Sequence, residues 1–170
     1  MKHKVLTLLA VGLLCLNNLR ADPSWDLAKV GDKPYPVAGT SIDGAAVSLE
    51  ALKGKVVLLY FFSIQTGAGV QELKMIQKYM WPEYEPAGLV IVCVAREAQM
   101  PELAAFAKSS HMTFPMIPDP QKEIFLHFAT RGHPRTYVIG KDGTIKLTSL
   151  GYTDDELDRI SAVIGQELKK

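Results

Sequence analysis

The stretch VVLLYFFSIQTGAGVQELKMI, residues 56–76, changes character in its middle. Residues 56–62 are β-branched, aliphatic and aromatic side chains without alternation. A run of that kind suits a strand covered on both faces. From Val70 onward the apolar residues Val70, Leu73 and Ile76, with Met75, Tyr79 and Met80, recur at helical spacing. Between the two patterns lies TGAG, Thr66–Gly69, where a buried strand turns into a helix. Trp81–Pro82 predicts the end of that helix, because the residue before a proline is pushed out of the α region.

Outward from this unit the chain repeats the theme. AGLVIVCVA, 87–95, reads as a second buried strand, and MPELAAFAKSSH, 100–111, as a helix with Pro101 near its start. FPMIPDP, 114–120, reads as a proline-laced extended stretch, and QKEIFLHFAT, 121–130, as a short helix. RTYVIG, 135–140, and IKLTSL, 145–150, are strands joined by the turn KDGT. The last helix is TDDELDRISAVIGQELK, 153–169, with Thr153 as its cap and Glu156 completing a capping box. Upstream, Asp43–Gly44 marks a hairpin turn, and VSLEALKG, 47–54, a short helical turn ending at Gly54. The order is β-α-β-α-(α)-β-β-α after an N-terminal β-hairpin. That is an α/β fold with a central mixed β-sheet flanked by helices.

The chain has 170 residues, enough for one compact domain, and a net charge of +1 that argues against a nucleic-acid footprint. MKHK followed by VLTLLAVGLLCL and NNLRA reads as a signal peptide over residues 1–21. The apolar run of 12 residues is shorter than the ~20 that a membrane span needs. An uncleaved anchor, or lipidation at Cys15, is the alternative. Cleavage after Ala21 would remove Lys2, Lys4 and Arg20 and no acid, taking the net charge from +1 to −2. The domain is then 22–170, exported to the periplasm or the extracellular space, with no membrane contact after signal removal. Cys93 would be its lone thiol, so no internal disulfide can form.

Several segments together resemble the thioredoxin fold, and within it the exported TlpA/ResA-like thiol–disulfide proteins and the redoxin (AhpC/TSA) domains. They are VGDKPYP (30–36), VSLEALKGKVVLLYFF (47–62), GLVIVCVARE (88–97), FAKSSHMTFPMIPD (106–119) and FATRGHPRTYVIGKDGTI (128–145). The resemblance spans about residues 30–165. It implies a Trp-Cys-x-x-Cys site at the start of the first long helix, where the positive helix end favours a thiolate. On this chain the tryptophan position is Gln65, and the two cysteine positions are Thr66 and Gly69, with Gly67 and Ala68 between them. In the redoxin pattern T-x-x-C-x-x-E, Thr66 and Glu72 persist and Gly69 stands at the sulfur. The activating arginine of that pattern falls near Pro134, with Arg135 beside it. The resemblance further implies that Pro134 is a cis-proline facing the active-site loop, preceded by His133, and that Glu72 lies beneath the cysteine pair.

These residues admit more than one reading. Thr66 is a helix N-cap, or a nucleophile activated by His133 with Glu72 orienting the histidine. Cys93, inside an apolar strand, is a core residue, or a reactive thiol. His111, His127 and His133 fit no metal-ligand spacing, with Glu72 or Asp119 included, so no metal is expected, and no cofactor. Two functions follow. One is a redox-inactive protein that binds a partner or an extended peptide at the cis-proline groove. The other is a thiol–disulfide oxidoreductase or peroxiredoxin-like enzyme, as the resemblance implies. Nothing in the sequence sets an oligomeric state.

Overall fold

The structure, a computed structural model, describes residues 25–170. The expected signal peptide and Cys15 lie outside the described residues. The first elements are the hairpin strands β1 (Ala38–Thr40) and β2 (Ala46–Ser48), paired antiparallel with Gly39 opposite Val47. Their turn is the Asp43–Gly44 pair, with Gly44 at φ +85° and the Ala45 amide donating to Asp43 Oδ1 at 3.1 Å. A single 3-10 turn over Glu50–Leu52 leads into β3 (Val56–Phe62).

β3 is the centre of a five-stranded sheet. The other strands are β4 (Leu89–Arg96), β5 (Met116–Asp119), β6 (Arg135–Ile139) and β7 (Ile145–Leu150). The spatial order is β5-β4-β3-β6-β7, with β3, β4 and β5 parallel and β6 and β7 antiparallel to their neighbours. All seven residues of β3 are buried, because both faces of the sheet are covered. Leu58, Tyr60 and Phe62 pack with Leu73, Ile76, Ile160 and Ile164 on one face. Val57, Leu59 and Phe61 pack with Val37, Val47, Phe125, Phe128 and Tyr137 on the other. Each such side chain is worth about 1.5–3 kcal/mol when fully buried, so β3 is a large contributor to the core.

Among the described residues four α-helices flank the sheet: α1 (Gly67–Met75), α2 (Trp81–Tyr84), α3 (Met100–Ser109) and α4 (Asp154–Leu168). The expected end at Trp81–Pro82 is corrected here. A π-helical turn over Ile76–Met80 joins α1 to α2, and the chain stays helical to Tyr84. The π turn resets the ladder, so Pro82 falls in the first turn of a new segment, where its missing N–H has no helical partner to lose. Tyr79, counted with the apolar stripe, is 52% exposed.

FPMIPDP is extended as expected, and within it Met116–Asp119 pairs as β5, an edge strand that tolerates Pro118. Two further expectations change. QKEIFLHFAT holds only a 3-10 turn over Phe125–His127. Its start is fixed by Asp119, whose carboxylate accepts from the Ile124 and Phe125 amides at 3.2 and 2.9 Å. At α4, Thr153 caps the helix by accepting from the Glu156 amide at 3.2 Å. Glu156 does not close the box, because its carboxylate pairs with Arg159.

Candidate functional site at the β3–α1 corner

The sheet ends at a corner where β3 hands over to α1 and the loop before β6 passes in front. Ser63 begins the turn: its hydroxyl accepts from the Gln65 amide at 3.2 Å, and its carbonyl accepts from the Thr66 amide at 3.2 Å. Gln65, Gly67 and Ala68 are exposed, Thr66 is half-buried and Gly69 is buried. Thr66 occupies the N-cap position of α1, as one reading expected, but its side chain does not cap. The hydroxyl turns back and donates to the Ser63 carbonyl at 3.2 Å.

Gly69 marks the centre of the corner. A Cβ placed there would stand 3.3 Å from Phe62 Cβ, 3.5 Å from Thr66 Oγ1 and 3.6 Å from Pro134 Cβ. Gly69 therefore faces Pro134 across van der Waals distance, although 65 residues separate them in sequence. The His133–Pro134 peptide bond is cis. The Pro134 carbonyl accepts from the Gly151 amide at 2.9 Å, which ties the loop to the end of β7. The backbone N–H and C=O of His133 make no hydrogen bond among the described residues.

Beneath Gly69, Glu72 is buried, with 1% of its surface exposed. The Tyr60 hydroxyl lies 2.8 Å from the Gly69 carbonyl oxygen and 3.1 Å from Glu72 Oε2, while Glu72 Oε1 has no partner. Desolvation outweighs the Tyr60 hydrogen bond and pushes the Glu72 carboxyl up to about 7. Burial and the nearby Glu72 charge push the Tyr60 phenol well above its ordinary value. Glu72 thus lies beside Tyr60 beneath Gly69, in a site that favours the neutral acid.

His133 does not join Glu72 and Thr66. Its Nδ1 meets Arg96 Nη1, and because guanidinium only donates, that nitrogen accepts. Burial and the Arg96 charge hold the imidazole below its usual range, so it is neutral at pH 7. The chain of Thr66, His133 and Glu72 considered as a nucleophile with its base is therefore not assembled. Arg96 is held in turn by the Phe125 ring, 4.5 Å from its centroid, and by Glu97 at 3.6 Å.

Arg135 points away from the corner. It pairs with Phe61 in register, and strand alternation puts it on the face opposite Tyr60 and Phe62. There it is 1% exposed, paired with Asp26 and donating to the Arg131 and Gly132 carbonyls at 2.9–3.1 Å. Cys93 lies opposite Tyr60 in β4, fully buried, and burial alone raises its thiol well above the ordinary range. The other histidines lie elsewhere. His127 stacks on Tyr35 with ring centroids 3.5 Å apart, and His111 is exposed. Among the described residues no three His, Cys, Asp or Glu side chains gather closely enough to hold a metal ion.

Sequence reasoning missed Tyr60 and Arg96. Tyr60 had a signal, since it carries the lone hydroxyl in the apolar run 56–62, and a buried tyrosine hydroxyl usually has a partner. Arg96, closing a buried strand, had a weaker one.

The sheet order, the helix starting just after Thr66 and the facing proline define a thioredoxin-like fold. A solution structure of a protein-disulfide-isomerase candidate from Bacteroides thetaiotaomicron matches with a TM-score of 0.81 at 28% identity, covering 86% of this chain and 94% of that one. The chain belongs to the AhpC/TSA family, whose pattern matches residues 30–148. It is similar to the thiol-disulfide oxidoreductase ResA of Halalkalibacterium halodurans, 27% identical over 161 residues, covering 93% of this chain and 89% of that protein. It is also similar to the chloroplastic peroxiredoxin Q of Sedum lineare, 25% identical over 124 residues, covering 69% of this chain and 66% of that protein. No described helix is long and apolar enough to cross a membrane.

Proposed function

We propose that this protein is an exported thioredoxin-like domain that has lost the family's thiol chemistry and binds an extended segment of a partner in front of Pro134. The observation that carries the reading is Gly69. It sits 3.6 Å, from an ideal Cβ, against Pro134, and neither it nor Thr66 brings a sulfur to the corner. The one thiol among the described residues, Cys93, is enclosed in the core. The unpaired backbone of His133 supplies a donor and an acceptor for strand-type pairing with an extended chain. The basic and apolar start of the sequence supports export.

The second reading, a thiol–disulfide oxidoreductase or peroxidase working through Cys93, has the names of the relatives in its favour. The burial of Cys93 opposes it. One assay separates the two: turnover of a disulfide-bonded protein with a thiol reductant. The expected result is no rate above the reductant alone. A rate that vanishes in Cys93→Ser would establish the second reading. For the binding role, an unfolded, thiol-blocked protein is titrated in. His133→Pro, which deletes the backbone donor, is expected to abolish saturable binding, whereas His133→Ala keeps it. Equal binding by both variants would sink the pairing.

A further inference from the structure

At the opposite end of β3 from the corner, a cleft of about 290 Å³ opens between residues 33–36, the segment 49–55 and the β6–β7 turn. Val57, on its floor, is five residues from Phe62, about 16 Å along a strand, so the cleft is separate from the Pro134 groove. The floor is apolar, formed by Pro34, Pro36, Leu49, Leu52, Val57 and Ile139. The rim is charged: Lys33, Lys53, Lys55 and Lys141 against Glu50 and Asp142.

Both acids are already engaged. Glu50 pairs with Lys53. Asp142 accepts from Lys146 Nζ at 2.6 Å, from the Thr144 amide at 3.0 Å and from the Thr144 hydroxyl at 2.9 Å. Lys33 and Lys55 have no carboxylate partner among the described residues. Lys141 donates to the neutral Leu168 carbonyl at 2.9 Å and keeps two N–H bonds for another acceptor. An excess of positive charge therefore stands over an apolar floor.

We propose that this cleft binds a small amphipathic monocarboxylate, its apolar body on Leu49, Leu52 and Val57 and its carboxylate among Lys33, Lys55 and Lys141. The size is near the lower end of ligand clefts, which run ~300–1,000 Å³. A bare hydrocarbon would leave the lysines unanswered. A bare phosphate would leave the floor wet, and the rim offers ammonium point charges with no arginine fork for bidentate phosphate recognition.

The test titrates octanoate, 1-octanol and inorganic phosphate separately into the purified protein, reading methyl NMR shifts of Leu52, Val57 and Ile139. Octanoate is expected to saturate these shifts and to bind at least about tenfold tighter than either other probe, the effect of one charge-assisted contact. Lys33→Gln combined with Lys55→Gln removes that advantage, and Leu52→Gln weakens octanoate while leaving the lysines in place. Equal affinity for octanol would reduce the site to a greasy crevice. Equal affinity for phosphate would reduce it to an anion patch. Shifts that never saturate would remove it altogether.

Discussion

The β3–α1 corner and the middle of β4 divide between them what a reactive thiol requires. The corner has the setting: a helix N-terminus, a facing proline, partial exposure and a buried carboxyl, but no sulfur. Strand β4 has the sulfur, in Cys93, with no exposure and no positive neighbour to stabilise a thiolate. Reactivity follows the pKa and access of a thiol, not its presence in a chain. The fold keeps its geometry without the chemistry because most of what shapes the corner is structural. Ser63 turns the chain, Tyr60 ties α1 to β3, and Gly151 anchors the proline loop.

The sharpest way to break this contrast is to bring sulfur to the corner. Thr66→Cys with Gly69→Cys restores the Cys-x-x-Cys spacing at a helix start. Gly69 needs only a few tenths of an ångström from Phe62 to accept a Cβ. The expected result is disulfide-reductase turnover at least about tenfold above the parent, as thiols at helix N-termini are acidic and attack readily. No gain in a variant that folds would mean the corner has lost more than its sulfurs.

The buried carboxyl gives the next effect. Glu72 titrates at about 7 when folded and near ~4.3 when unfolded. Its protonation favours the folded chain fully below pH 4, and that contribution disappears as pH rises through 7. The difference is on the order of 3 kcal/mol. Urea midpoints measured from pH 4 to pH 8 should fall with pH in the parent, and Glu72→Gln should flatten the slope. A parent slope unchanged by Glu72→Gln would place the titrating group elsewhere.

Cys93 tests the other side. Cys93→Ser puts a hydroxyl among apolar neighbours and is expected to cost about 1–3 kcal/mol in chemical denaturation, with no change at the corner. A thiol reagent should label Cys93 only as the chain unfolds. The smallest effect is at Thr66. Its hydroxyl caps no helix, so Thr66→Ala should cost less than Thr153→Ala, where a true cap is lost and about 1 kcal/mol is typical.

Legibility along the sequence followed how local the cause was. β3 and β4 were readable because burial on both faces writes an unbroken apolar run. β5 was legible only as an extended stretch, because Pro115, Pro118 and Pro120 break up a strand pattern, and its place at the sheet edge is what makes pairing tolerable. The π turn over Ile76–Met80 left no signal, since both residues also fit an ordinary α-helical stripe. At the site, Thr66, Gly69 and Glu72 share one helix and were visible together. That Pro134 would face Gly69 came from resemblance, as no periodicity links residues 65 positions apart. The pairing of His133 with Arg96 rather than Glu72 is a tertiary choice, made where β4 ends beside the proline loop.

Both borders of the sheet are closed by other parts of the chain. On β5, Ser41 and Ile42 occupy Met116, and Pro118 offers no N–H. On β7, Gly31 and Asp32 bracket Ile145, and Arg159 takes the Thr148 carbonyl. Two copies meeting border to border would have to displace these contacts at Met116, Ile145 and Thr148 before their strands could pair.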